Sequence, residues 1–237
     1  VNSPAYEAAP VHPFLPTRII VMDEWAREEM ARAGVVDRTR ILPLGQPYFE
    51  TLLSRRDALP SAAKLRARLG LATDDFLITF VSEPLSCDYG EDPDRGEFWG
   101  FTERTIFRSL RDALGHVVPG TGRKVRLVIK LHPRETSHNY GGLVEMQLPG
   151  VVITLDRSAN PLELLHASDL ACGMSSMMLI EAAIIGTPVI SLMIGLKREN
   201  PFILDRRGII RSVRSGAELE ERLMQTLLGN GAGLGRF

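Results

Sequence analysis

Short apolar runs rich in Val, Ile, Leu and Phe alternate with helical patterns along nearly the whole chain, and this alternation constrains the fold more than any other feature. The runs cover 18–22, 76–81, 125–131, 151–154, 169–173 and 188–192, with a last one at 209–211. Most are continuous apolar blocks, the pattern of strands covered on both faces. Between them lie helical stretches at 24–33 (closed by Gly34), 48–56, 61–69 (opened by Pro60, capped by Gly70) and 98–114. A short helix follows Asn160, with Pro161 at its first position. Another runs over 177–185, with Ser175 or Ser176 as its cap and Gly186 at its end, and the last spans 218–228. Caps of this kind satisfy the free N–H and C=O groups of helix termini. Strands and helices in turn predict an α/β fold with a doubly wound, mostly parallel, Rossmann-like sheet. A boundary is expected near 58, separating the end of one domain and its linker (1–58) from a larger domain (59–228). The glycine-rich end, 229–237, reads as a disordered tail.

Charge narrows the function classes. Lys and Arg number 28 against 29 Asp and Glu, a net charge of −1. Duplex nucleic acid needs clustered positive charge, so a nucleic-acid partner is not expected and any anion site must be local. Cys87 and Cys172 are too few for a disulfide framework or a zinc site, which points to a reducing cytoplasm. No apolar run approaches the ~20 residues that span a bilayer. The first 16 residues lack the basic-then-apolar pattern of a signal peptide. The chain opens on Val1 without an initiator Met, which suggests a piece of a longer protein.

In doubly wound sheets, ligands sit outside the carboxyl ends of the strands. Three strand ends carry chemistry: Ser82-Glu83-Pro84, the segment 130–135 and the segment 172–176. In the second, Pro133 fixes its own φ and pushes His132 towards an extended conformation, which can aim the imidazole off the strand end. His132 and Arg134 are both good phosphate partners, and Lys130 adds charge. The plainer reading is that His-Pro only ends a strand. In the third, Gly173-Met174-Ser175-Ser176 joins a strand to a helix start. Free N–H groups, the helix dipole and two hydroxyls there suit an anion. The plainer reading is an N-cap. Glu181 stands in an otherwise apolar helix, where a carboxylate needs a partner; a ribose diol or a nearby Arg would serve. Glu83 and the acidic loop with Asp88, Glu91, Asp92 and Asp94 could supply a base or hold a metal, but no metal-loop spacing is present and a solvated loop over 82–97 is expected. His166 reads as structural. Nucleophile-elbow, Walker A, His-Glu-x-x-His and dinucleotide glycine motifs are absent.

Taken together, these segments resemble a known group. Residues 127–134 (Leu-Val-Ile-Lys-Leu-His-Pro-Arg) resemble the His-Pro motif of bacterial sialyltransferases and polysialyltransferases, and of the CDP-glycerol transferases that build teichoic acids. Residues 167–176 resemble their Ser-Ser motif. Residues 179–190 resemble the Glu-Ala-x-x-x-Gly-x-Pro stretch shared by GT-B transferases and UDP-N-acetylglucosamine 2-epimerases. Residues 18–49 resemble the end of the first GT-B domain and its linker.

The resemblance implies that 59–228 is the carboxyl-terminal, nucleotide-sugar-binding domain of a GT-B glycosyltransferase. Its reaction would transfer a sugar or polyol phosphate from a CMP-, CDP- or UDP-linked donor. The acceptor would be a surface polysaccharide, such as capsule, or a lipid-linked glycan. No separate cofactor or metal is implied. His132 with Ser175 or Ser176 would contact the nucleotide and its phosphate, supported by Ser82, Glu83, Lys130, Pro133, Arg134, Gly173 and Glu181. The enzyme would work in the cytoplasm, with peripheral association at the inner membrane face. The general base of these transferases, an acid of the first domain, has no counterpart here. A 2-epimerase-like isomerase is the second reading, although the Ser-Gly-Gly of those enzymes is replaced by Met174-Ser175-Ser176. A non-catalytic nucleotide-binding module is the third.

Overall fold

A computed structural model describes residues 16–34 and 36–229. The expectations for the first 15 residues and for the tail from 230 lie outside the described residues. The chain divides into two compact units, Val1–Thr51 and Leu52–Phe237.

In the first unit, β1 (Ile19–Val21) and β2 (Ile41–Pro43) pair in parallel, with Ile19 opposite Ile41. Between them runs α1 (Glu24–Arg32), whose first turn is capped by the Asp23 carboxylate accepting the Ala26 N–H at 2.9 Å. Gly34 closes it at φ +71°, a conformation that favours glycine. The break between the units falls inside α2 (Pro47–Asp57).

The second unit is built on five strands, all parallel, in the order β5-β4-β3-β6-β7. These are β3 (Asp75–Val81), β4 (Lys124–Lys130), β5 (Val151–Asp156), β6 (Leu170–Gly173) and β7 (Val189–Ser191). Side chains alternate across a strand, so Leu77 and Phe80 face opposite sides of β3. On the Leu77 side, Leu65 of α3 (Ala62–Arg68) packs with Leu164 and Ala167 of α6 (Pro161–Ala167). On the other side, Phe80 meets Phe107 of α5 (Glu103–Val117), their rings 5.5 Å apart. The helix α9 (Gly216–Leu227) packs on α5. The sheet is therefore covered on both faces, as its apolar strands require. Arg66 of α3 ties the base of the sheet together. Its guanidinium donates to Asp169 at 2.8 Å, to the Ala167 carbonyl at 3.1 Å and to the Asp75 carbonyl.

The loop expected at 82–97 contains a short helix, α4 (Leu85–Tyr89). The helix expected from residue 98 begins at Glu103 instead. Gly100 at φ +99° breaks the run, and Thr102 caps α5 by accepting the Thr105 N–H. The strand expected at 209–211 does not form. The N–H groups of Ile209 and Ile210 turn back onto the Leu204 carbonyl, closing α8 (Ile203–Arg206), and β7 is extended by a bridge between Leu192 and Val213. Among the described residues no helix is long and apolar enough to cross a membrane.

Candidate functional site

The strand order places a switch at the middle of the sheet. From β3 the chain winds outward through β4 and β5, then returns to lay β6 on the other side of β3. A crevice at the carboxyl ends of β3 and β6 is the place where such sheets bind ligands. Val81 is level with Lys130 on one side and with Gly173 on the other, so the three segments singled out in the sequence leave the sheet together. Hydrogen bonds join them. The Ser82 N–H donates to the Lys130 carbonyl at 3.0 Å, and the Ser82 hydroxyl donates to Glu135 at 2.6 Å. The other oxygen of Glu135 accepts the His132 N–H at 2.8 Å, pinning the His-Pro loop to the end of β3. Tyr140 also bonds Ser82 from behind.

On the far side of the crevice stands the start of α7 (Met177–Ile184). Ser176 is its cap, its hydroxyl accepting the Met178 N–H at 3.3 Å. The free N–H groups of Ser175 and Ser176 both point to one Glu83 oxygen, at 2.6 and 3.0 Å. The Ser175 hydroxyl donates to the other Glu83 oxygen at 2.9 Å. The anion position expected at this helix start thus holds the protein's own carboxylate. Burial pushes the Glu83 carboxyl above the usual range, against the pull of the Ser175 and Ser176 donors.

His132 is half-buried at the rim. Its Nδ1 accepts the Arg134 N–H at 3.2 Å, so the proton of the neutral ring sits on Nε2. Burial, with the nearby Arg134 guanidinium, lowers its pKa below the ordinary histidine value. His116, exposed on α5, is the contrast, because its hydrogen bond to Glu220 at 2.7 Å raises its pKa. An NMR titration is expected to find His132 below and His116 above the ordinary ~6.5. The reverse order would contradict this geometry. Folding stability linked to His116 would be fully present below ~6.5 and lost as pH rises through its raised value.

Arg134 is exposed, and both its terminal nitrogens are held by the Asp88 carboxylate of α4, at 2.6 and 2.7 Å. This fork keeps the Asp88 carboxyl below the usual carboxylate range. Pro133 is exposed, and its carbonyl accepts from Arg157 at 2.6 Å. Lys130 is not brought to the crevice with the others. Its ammonium is buried against Asp156 and the Ala159 carbonyl, both at 2.8 Å. Burial works against the Asp156 carboxylate, but Lys130 and the Ala159 N–H outweigh it and hold its pKa low. Glu181 lies half-buried one turn after Met177, on the same face of α7. Glu91, Asp92 and Asp94 are exposed. Among the described residues no three His, Cys, Asp or Glu side chains group to hold a metal ion.

Sequence reasoning missed the acids beneath the rim. Glu135 is buried, and that burial, together with Glu103 and Glu83 nearby, pushes its carboxyl up. Glu103 is also buried and accepts from Ser86 N and Oγ at 2.9 and 2.5 Å and from Asn139 at 3.2 Å. The one signal for Glu135 was its position directly after His-Pro-Arg. A cleft of about 650 Å³ opens elsewhere, by the amino ends of β3 and β4, and its Asp75 and Arg126 pair with each other at 3.5 Å.

No family model matches the chain, and no curated protein matches it. Solved structures do. The UDP-GlcNAc 2-epimerase of Methanocaldococcus jannaschii, in complex with UDP-GlcNAc and UDP, is 15% identical with a TM-score of 0.60, over 91% of this chain and 54% of that one. The UDP-GlcNAc 2-epimerase of Neisseria meningitidis is 12% identical at a TM-score of 0.55, over 92% and 56%. The wall teichoic acid polymerase TagF is 15% identical at 0.49, over 90% and 50%. The chain spans about half the length of these proteins. The fold is α/β with a five-stranded parallel Rossmann-like sheet, matching half of GT-B-fold proteins.

Proposed function

We propose that this chain is the nucleotide-sugar-binding half of a GT-B transferase. Such an enzyme moves a sugar or polyol phosphate from a nucleotide-linked donor to a polysaccharide or lipid-linked acceptor on the cytoplasmic side of a membrane. What supports the reading is that the segments carrying His132, Arg134 and the Ser175-Ser176 helix start leave neighbouring strand ends at the switch point of the sheet. Each is a phosphate-type ligand. His132 presents its Nε2–H as a donor, while a phosphate would take the Arg134 fork and the backbone N–H groups at the start of α7 in place of Asp88 and Glu83, which hold them here. Donors fixed in place before reaction stabilise charge developing on a leaving phosphate, and this is the term such a transfer most needs. Lys130 acts through Asp156 on the architecture of the site rather than on the phosphate. In this reading residues 1–58 are the end of a first domain and its linker.

The test is a thermal-shift titration with CMP, CDP, UMP, UDP and ADP. Ligands that bind the native state raise Tm by mass action. A pyrimidine nucleotide is expected to stabilise the wild type, and His132→Ala is expected to weaken that binding about tenfold or more while keeping its own fold. Undiminished binding to a folded His132→Ala protein would sink the assignment. A second reading has its own support: the M. jannaschii 2-epimerase, which binds UDP-GlcNAc and UDP, has the same fold. Release of UDP from UDP-GlcNAc without any acceptor would favour that isomerase over a transferase.

A further inference from the structure

The His-Pro turn is closed from both ends by one side chain. The Glu135 N–H donates to the His132 carbonyl at 2.9 Å, and one oxygen of the Glu135 carboxylate takes the His132 N–H at 2.8 Å. With the Arg134 N–H on the ring Nδ1, these bonds fix where His132 points its Nε2–H. The other Glu135 oxygen accepts the Ser82 hydroxyl at 2.6 Å. That spends the Ser82 proton, so Tyr140 is the donor in the Ser82–Tyr140 bond. Every donor in the network thus points towards the carboxylate. Ser82, Glu135 and Tyr140 are buried, and among the described residues no cation pairs with either Glu135 oxygen. The charged groups that face it are Glu103 from α5, Glu83 from the end of β3 and Arg134 from its own loop, the last held by Asp88. The Tyr140 phenol and the His132 imidazole are the other titratable groups beside it.

We propose that Glu135 is a positioning residue, a latch that aims the His132 imidazole while it is ionised and loosens its hold when it takes up a proton. This rests on the reading of the crevice as a nucleotide-phosphate site and adds a pH control to it. A carboxylate accepts from both His132 and Ser82. A proton on the oxygen facing His132 sets two hydrogens against each other and breaks that bond. A proton on the other oxygen has to go to Ser82. One hydroxyl hydrogen of the Ser82–Tyr140 pair is then stranded in the core, and His132 is left on a neutral acceptor, about half as strong as an ionised one. Either protonated form forfeits part of the hold on His132. Burial, with Glu103 and Glu83 nearby, makes Glu135 take its proton at a higher pH than an exposed glutamate does, so the release begins above the usual carboxylate range.

The experiment is calorimetric titration of the full chain with CMP at neutral and at acid pH, for the wild type and Glu135→Gln, whose neutral amide stands in for the protonated acid. Comparing the two proteins at each pH cancels the titration of the ligand and of the His132 ring. At neutral pH Glu135→Gln is expected to bind about three- to tenfold more weakly than the wild type, the effect of one hydrogen bond. At acid pH the two are expected to converge. Tighter binding by Glu135→Gln at neutral pH would mean that only a repelling charge was removed, and a deficit equal at both pH values would mean a packing role; either overturns the proposal. The latch is also read without ligand, by NMR. The side-chain carboxyl carbon of Glu135 and the His132 amide proton are expected to share one titration midpoint, with added His132 backbone motion below it. A His132 amide that ignores the Glu135 midpoint overturns the proposal. Ser82→Ala keeps the acid but removes a donor to its ionised form, and is expected to raise that midpoint. It serves if Glu135→Gln fails to fold, and an unmoved midpoint in folded Ser82→Ala counts against the latch. If His132 follows Glu135 as expected but CMP binds none of the proteins, the latch stands and the nucleotide reading falls.

Discussion

Alanine in place of Gly100 is expected to destabilise the second unit by about 3 kcal/mol or more. Two costs add. Gly100 has φ +99°, where an L side chain is strained, and a Cβ there would stand 2.1 Å from the Gly195 carbonyl oxygen and 2.9 Å from Cγ of Lys197. The oxygen belongs to backbone and cannot swing aside. The contact also matters for its surroundings. The Lys197 N–H donates to the Trp99 carbonyl at 2.9 Å, and the Arg198 guanidinium lies 5.4 Å from the Trp99 ring, which itself packs on Tyr89 at 4.8 Å. The loop after β3 and the loop after β7 meet here backbone to backbone. At the scale of a domain this size, the loss corresponds to a Tm lower by about 6–12 °C. Thermal or urea unfolding measures it, and a wild-type midpoint for Gly100→Ala would mean that the two loops do not touch.

Gly173→Ala is expected to cost about 2–3 kcal/mol by overpacking, and to abolish ligand-induced stabilisation as well. The added methyl would lie 2.6 Å from the Val81 carbonyl oxygen and 3.3 Å from the Val81 Cβ. Relief requires β6 to move away from β3 at the level where Ser82 and Met174 leave the sheet. That movement carries Ser175 and Ser176 away from Glu83. Unfolding midpoints and nucleotide thermal shifts read the two effects separately. A variant with normal stability and an intact nucleotide shift would show that the strands are not packed this closely.

Much of the architecture was legible because strand signals here are local. The run Phe76 to Val81 could be little but a buried strand, and Asn160-Pro161 and Ser176 cap helices where their side chains predict. The convergence of the three strand ends followed from the parallel sheet alone. The misreadings have physical causes. Phe98 to Phe101 look like the first turn of an apolar helix, but a glycine at positive φ packed against a distant loop is not visible in one segment. Ile209 and Ile210 have strand-like side chains, yet their N–H groups are bonded to Leu204. Most of what was missed at the site is long-range. Glu83 finds Ser175 across 92 positions, and Asp88 finds Arg134 across 46. A sequence reveals that these residues are acidic or polar, not which of them the fold turns inward on one another. Glu103 stood out in no segment, and Glu135 only as the end of the segment 130–135, for the same reason.

The middle position of β3 also carries a risk during synthesis. Its two neighbours are β4 and β6, and the first partner on the β6 side, Asp169, comes 92 residues after Leu77. At roughly 5–20 residues per second, a nascent chain carries a bare apolar edge on β3 for about 5 to 20 seconds before β6 has even been made. Parallel pairing between such distant segments is slow to find and exposed to wrong partners meanwhile. The strand from which the candidate site is hung is thus also a stretch where a ribosome-bound chain needs protection from its neighbours.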